Sequence, residues 1–284
     1  MFAHVDTRSP KAVEEQVRLA CLRLFPQTDP AFVHEAFDWV EQCFSGAVPG
    51  YLPIDARYHD LEHTLQGTLC LVRLLEGRHQ AKARPVLDPQ RFQLVLLAIL
   101  FHDTGYLKRE GDTGGTGAKY TLTHVARSAD FARDFLSARG FGAPDIGAIC
   151  NMISCTGVNA RMDAIPFRDE LERTLGGALA TADLLGQMAA PDYVEKLPVL
   201  FEEFAEATRH EGANAGRLAM YKSAEELIRN TPGFWQNYVV PKITHDFGAL
   251  HRYLNIPCPD GPNAYLQAIE QNLARIGNLP IRQP

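Results

Sequence analysis

The chain has 284 residues, 46% of them hydrophobic and 22% charged, a composition that excludes collagen-like, disordered and coiled-coil proteins. Lys and Arg number 28 against 34 Asp and Glu, for a net charge of −6 with no long run of one sign. No electrostatic footprint for a nucleic-acid polymer or an anionic membrane is present, so a small-molecule substrate is expected. The N-terminus lacks the basic start and apolar stretch of a signal peptide, and no stretch reaches the ~18 apolar residues of a membrane span, so a cytoplasmic location is expected. The six cysteines form no CxxC pair and read as buried thiols.

Apolar residues recur at helical spacing along most of the chain and strand alternation is scarce, which predicts an all-α fold. A first helix is expected after Ser9-Pro10, with Val13, Val17, Ala20 and Leu24 on one face. A second follows Asp29-Pro30 and runs to about Ser45-Gly46, with Phe32, Ala36, Trp39, Val40 and Phe44 facing inwards. Residues 46–57 read as a loop, and the next helix is placed at 58–77. The segment from Arg78 to Arg84 reads as a solvated loop. From Asp88-Pro89 another helix carries the run 92–101, apolar nearly all round and therefore central, and it leads directly into His102-Asp103. The glycine-rich stretch 111–117 lacks the GxxxxGK[ST] order of a P-loop and is expected to be a mobile loop beside the site that follows Asp103. Further helices are expected over 122–139, 144–155, 167–189, 192–210, 216–230, 232–254 and 262–277. The expected organisation is one domain over 1–284: N-terminal helices in 1–50, a metal-binding core in 51–190, and C-terminal helices in 191–284 packing on it.

His-Asp occurs at 59–60, 102–103 and 245–246, so the dipeptide alone is weak evidence. His102-Asp103 stands apart because two ionisable residues end an apolar helix, where burial costs several kcal/mol or more unless the groups are paired or bind a metal. His59 and His63, four residues apart, would share a helix face, one binding an ion and the other reaching substrate. Asp183 is a lone carboxylate in the apolar stretch 180–185. His63, His102, Asp103 and Asp183 together offer two imidazoles and two carboxylates, a set suited to a divalent ion with positions left open for water. His245-Asp246 and the remaining histidines read as surface or packing residues, and Phe234 to Tyr238 reads as core and helix surface.

The order His, then His-Asp, then a distant Asp on an all-α chain resembles the HD-domain metal-dependent phosphohydrolase superfamily, a helical bundle here extended by N- and C-terminal helices. The resemblance spans about residues 50–190. LFHDTGY (100–106) is similar to the superfamily's HD-x-G segment and TADLL (181–185) to its terminal Asp segment. YHDLEH (58–63) resembles the YHxxxH element of the cyclic-nucleotide phosphodiesterases.

That match implies His59 as the proton-donating acid, His63, His102, Asp103 and Asp183 as metal ligands, and His124 as a further active-site residue that contacts phosphate or holds a second ion. Where dinuclear members with extra histidine ligands carry another His, this chain has 149–155, ICNMISC. One firm divalent ion (Mn, Mg, Zn, Ni or Fe) is therefore expected, with a second, weakly held ion bridged by Asp103 left open. The implied activity is hydrolysis of a nucleotide or another small phosphate mono- or diester by a metal-activated water, with Asp103 orienting or deprotonating that water. Lys108, Arg109 and Lys119 would meet substrate phosphates. The alternatives within the resemblance are a di-iron oxygenase and a non-catalytic nucleotide-sensing module. Oligomeric state is not legible in the sequence.

Overall fold

A computed structural model describes residues 2–212 and 221–279. Ten α-helices occur among them and no strand longer than an isolated bridge, which establishes the all-α class. None of the described helices is long and apolar enough to cross a membrane.

α1 (Pro10–Leu24) begins with Pro in its first turn, Ser9 accepting the Ala12 N–H as cap, and buries Val13, Val17, Ala20 and Leu24 as expected. α2 (Ala31–Ser45) buries Val33, Ala36, Phe37, Val40 and Cys43, so its inner face is turned from the expected one. Phe32, Trp39 and Phe44 pack only at its edge. α1 lies against α3 (Leu61–Gln80), and α2 against α4 (Pro89–Phe101). α4 is buried on every face from Leu94 to Phe101, as its sequence demanded.

α3 starts three residues later than the periodicity suggested, because Asp60 caps it by accepting the His63 N–H at 2.9 Å. It also runs on to Gln80, so Arg78 is not in a solvated loop. Its guanidinium is buried and donates to the Pro85 carbonyl. Five of the six cysteines are buried and all are free thiols.

The scaffold of the site is the pairing of α3 with α7 (Glu170–Met188). The two approach so closely that a Cβ on Gly186 would lie 2.8 Å from the Gln66 carbonyl oxygen and 2.9 Å from the Gly67 nitrogen. Glycine at 186 is a packing requirement, and this approach sets Asp183, one turn earlier, beside the first turn of α3.

After α4 the chain makes a short 3₁₀ turn, Thr104–Tyr106, onto which α5 (His124–Ser137) docks. A Cβ on Gly105 would stand 1.9 Å from the His124 carbonyl oxygen. The Gly105 N–H donates to Ser128 Oγ at 2.8 Å, and Arg127 donates to the Gly105 and Leu107 carbonyls at 2.7 Å. α6 (Ala143–Ile153) packs on α4 and α5, and α8 (Tyr193–Glu211) on the 3₁₀ turn Gly117–Tyr120.

Residues 213–220 lie outside the described residues, so only the later part of the helix expected at 216–230 can be placed, as α9 (Ala224–Phe234). Beyond it the helix expected over 232–254 breaks into two wide π turns, Trp235–Val239 and Lys242–Asp246, and a 3₁₀ turn, Leu250–Leu254. α10 (Ala264–Gly277) returns to pack on α7.

Candidate metal centre

Three separate elements deliver the histidines and aspartates to one place. His63 comes from the first turn of α3, His102 and Asp103 from the end of α4, and Asp183 from the middle of α7. His63 Nε2 lies 3.2 Å from Asp103 Oδ2 and 3.2 Å from Asp183 Oδ1; His102 Nε2 lies 3.2 and 3.4 Å from the same two oxygens. Nitrogen and oxygen therefore alternate around a closed ring of four donors. Ligand atoms of His63, His102 and Asp103 all fall within 4.8 Å of one another, and Asp183 closes on them through both imidazoles.

These separations discriminate between two readings of the cluster. A charge-assisted N–H···O bond is about 2.7–2.9 Å long, whereas ligand bonds of about 2.0–2.2 Å put neighbouring donors of a tetrahedral or octahedral site roughly 2.8–3.6 Å apart. The ring edges match the second spacing. His102 Nε2 and Asp103 Oδ2 are fully buried and make no hydrogen bond, a costly arrangement for polar atoms that face only one another.

His102 Nδ1 is 2.7 Å from the Ile99 carbonyl, to which it donates; this leaves Nε2 to offer a lone pair in the neutral ring, as a metal-binding histidine requires. The donor set thus fits a divalent ion.

Without an ion, the imidazoles and carboxylates favour one another's charged forms. Burial pushes His63 down, but Asp103 and Asp183 outweigh it and hold the imidazolium up to about 9. His102 is likewise raised well above its ordinary value by the two carboxylates against its burial. Asp103 and Asp183, which burial alone would raise, are instead held well below the carboxylate range, chiefly by His102.

Asp103 faces two ways. Its Oδ2 meets His63 and His102, while Oδ1 is 3.7 Å from His124 Nε2. His124 Nδ1 donates to the Thr121 carbonyl at 2.6 Å, so its Nε2 carries the free lone pair. Burial lowers the pKa of His124, against the pull of Asp103.

His59 precedes the cap of α3 rather than sharing a helix face with His63, and it reaches the cluster from the side. The Tyr106 ring lies nearly parallel to both outer imidazoles, 4.5 Å from His59 and 4.8 Å from His124, and the centroids of those two histidines are 6.1 Å apart. The side chains of His59 and His124 keep 14% and 18% exposure against 3% for Asp103, so the centre opens to solvent on their side.

Glu203 of α8 was not foreseen. Its Oε2 is 2.6 Å from His59 Nδ1 and its Oε1 accepts the Tyr58 N–H at 2.7 Å. Burial pushes this carboxyl up, but His59 and the two hydrogen bonds hold it below its usual range. A sequence signal existed: Glu203 stands four residues before buried Ala207, so it is an acid that shares that residue's inward face. Gln187, also unforeseen, donates weakly to Asp183 Oδ1 at 3.4 Å and accepts from the Tyr58 hydroxyl at 2.8 Å. Glu62, next to His63 in sequence, accepts from Lys196 at 3.0 Å.

The glycine-rich stretch is tied down rather than free. Lys108 donates to the Gly115 carbonyl at 2.8 Å and pairs with Asp55, Lys119 bonds Asp112 and the Gly114 carbonyl, and Glu206 accepts from the Thr116 N–H and hydroxyl. The lysines expected to meet phosphate are spent on this loop, and the Arg109 guanidinium lies over the Tyr51 ring.

A family model described as Npun_R2479-like matches residues 110–256, about half of the chain, and the chain belongs to that family. The matched stretch contains His124, Asp183 and Glu203, while His59, His63, His102 and Asp103 precede it. No curated protein matches the chain.

Proposed function

We propose that this member of the Npun_R2479-like family is a metal-dependent phosphohydrolase acting on a nucleotide or another small phosphate mono- or diester. The observation that carries the reading is the alternating ring of His63, Asp103, His102 and Asp183, with donor separations of 3.2–3.4 Å and buried atoms that lack hydrogen bonds. These four residues would hold the ion. A divalent ion bound there would supply acidification of water and polarisation of a phosphoryl oxygen.

The remaining steps belong to the side chains around the ring. Glu203 fixes the Nδ1 side of His59, so its Nε2 is the atom left to give a proton to the leaving oxygen. Asp103 Oδ1, turned away from the ring, is the acceptor through which a water is oriented or deprotonated, and His124 Nε2 beside it is a second place for that proton. Burial of Asp103, His102 and His63 excludes bulk water from the inner side. Lys108, Lys119 and Arg127 are all engaged elsewhere, so few fixed cations face the site. That scarcity favours esters of low charge, a phosphodiester above a triphosphate.

The test is release of product from bis(p-nitrophenyl) phosphate and from a panel of nucleoside monophosphates and cyclic nucleotides, with Mn²⁺ or Mg²⁺ added. Turnover that disappears in His102→Ala and in Asp103→Ala supports the reading. Equal turnover in those variants, or none by the parent chain on any of these esters, overturns it.

A further inference from the structure

Among α3, α7 and α10, the N-terminal segment 2–8 lies as a strap across a cavity of about 490 Å³, a size typical of small-molecule sites. The strap is anchored at both ends. Phe2 meets the Tyr265 ring edge-on at 6.0 Å and lies under the Arg73 guanidinium at 4.6 Å, while Thr7 and Arg8 reach Glu62 at 3.4 Å.

Two groups on the wall of this cavity hold hydrogen-bonding or charge capacity that the described residues do not use. Gln66 is 93% buried, and its side-chain amide makes no hydrogen bond among the described residues. Arg73 donates to the Tyr265 hydroxyl at 3.0 Å and to the Ala3 carbonyl at 2.7 Å, both neutral acceptors, and no carboxylate pairs with it among the described residues. The Gln66 amide has no partner among the described residues and the half-buried Arg73 guanidinium has only neutral acceptors, so both are placed to meet a ligand in this cavity.

We propose that the cavity under the strap is a binding site for a small amphipathic monocarboxylate. The acid would pair with Arg73, the apolar body would lie among Phe2, Leu69 and Tyr265, and the Gln66 amide would bond a polar group of the ligand. Arg8 pairs with Glu62 and Asp192, whereas Arg73 has no carboxylate partner among the described residues, and the three acids on the wall, Asp6, Glu62 and Asp192, repel a polyanion. Gln66 and Ala190 also line a cavity of about 10 Å³, room for about one water, that touches His63. The site under the strap therefore adjoins the back of the candidate metal centre without containing its ligands.

The experiment is titration calorimetry of the full chain with a short series of phenylalkanoates and with the matching neutral phenylalkanamides. Saturable carboxylate binding is expected, weakened roughly tenfold to a hundredfold in the amide and in Arg73→Met, as loss of a charge-assisted bond implies. A smaller loss is expected in Gln66→Leu. Equal binding of acid and amide by the parent chain, or absence of binding, would overturn the proposal. The comparison of acid with amide needs no variant, so a misfolded Arg73→Met leaves the test intact.

Discussion

Glu203 and His59, 144 residues apart, meet at 2.6 Å between Oε2 and Nδ1, and the other oxygen of the same carboxylate takes the N–H of Tyr58. The contact orients the imidazole from behind and fixes which nitrogen faces the open side of the centre. In the account above it makes His59 a proton donor with a defined direction. His59→Ala should slow hydrolysis of alkyl phosphate esters by about 10²–10⁴-fold. Esters with a p-nitrophenolate leaving group, which need little protonation, should be slowed far less. Steady-state rates on the two ester types check this; equal losses on both would mean that His59 serves only the structure.

Glu203 also links folding to pH. Its carboxyl is held below the unfolded value of 4.5, so the stability it contributes is present above pH 4.5 and is lost as pH falls through the lower folded value. Glu203→Gln should cost about 1.5–3 kcal/mol near neutral pH, the range for a hydrogen bond to a charged group. The gap between parent and variant should narrow below pH 4.5. Urea unfolding at several pH values measures it.

The metal-free cluster makes a prediction of opposite sign. His63, raised from 6.5 to about 9, adds stability that is complete below 6.5 and lost as pH climbs through about 9. An ion must displace that proton, so binding of Mn²⁺ or Zn²⁺ should release protons at pH 7 and tighten as pH rises towards 9. Calorimetry in buffers of different ionisation enthalpy counts the protons.

Gly105 is the point at which α5 rests on the turn after Asp103. With a Cβ placed 1.9 Å from the His124 carbonyl oxygen, Gly105→Ala should cost about 1–3 kcal/mol and displace His124 from Asp103. Chemical denaturation and the rate on a phosphodiester would both register the change. A fully stable and active variant would show that the turn can shift without cost.

The parts of this arrangement visible in the sequence are those written locally. The apolar run of α4 ending in His102-Asp103 announces both a central helix and buried charges, and the isolated Asp183 in an apolar stretch does the same for α7. Helical periodicity cannot show which residue turns its side chain back to the first N–H groups, so the helix expected from 58 starts only after the Asp60 cap, which leaves His59 off the helix. The inner face of α2 was misplaced because Val33, Phe37 and Cys43 are as apolar as Phe32, Trp39 and Phe44, so period alone could not choose. Glu203, Tyr106 and the anchoring of the glycine-rich loop by Glu206 depend on contacts between distant segments that no local pattern encodes.

In the proposed reading, the ring of two imidazoles and two carboxylates holds a divalent ion. Metal content per chain, measured by plasma emission on protein purified without chelator and equilibrated with Mn²⁺ before removal of free ions, tests it most directly. About one ion per chain in the parent and in His59→Ala, and none in Asp103→Ala or His102→Ala, is the result predicted. An ion-free parent chain, or the same content in all four proteins, would contradict it.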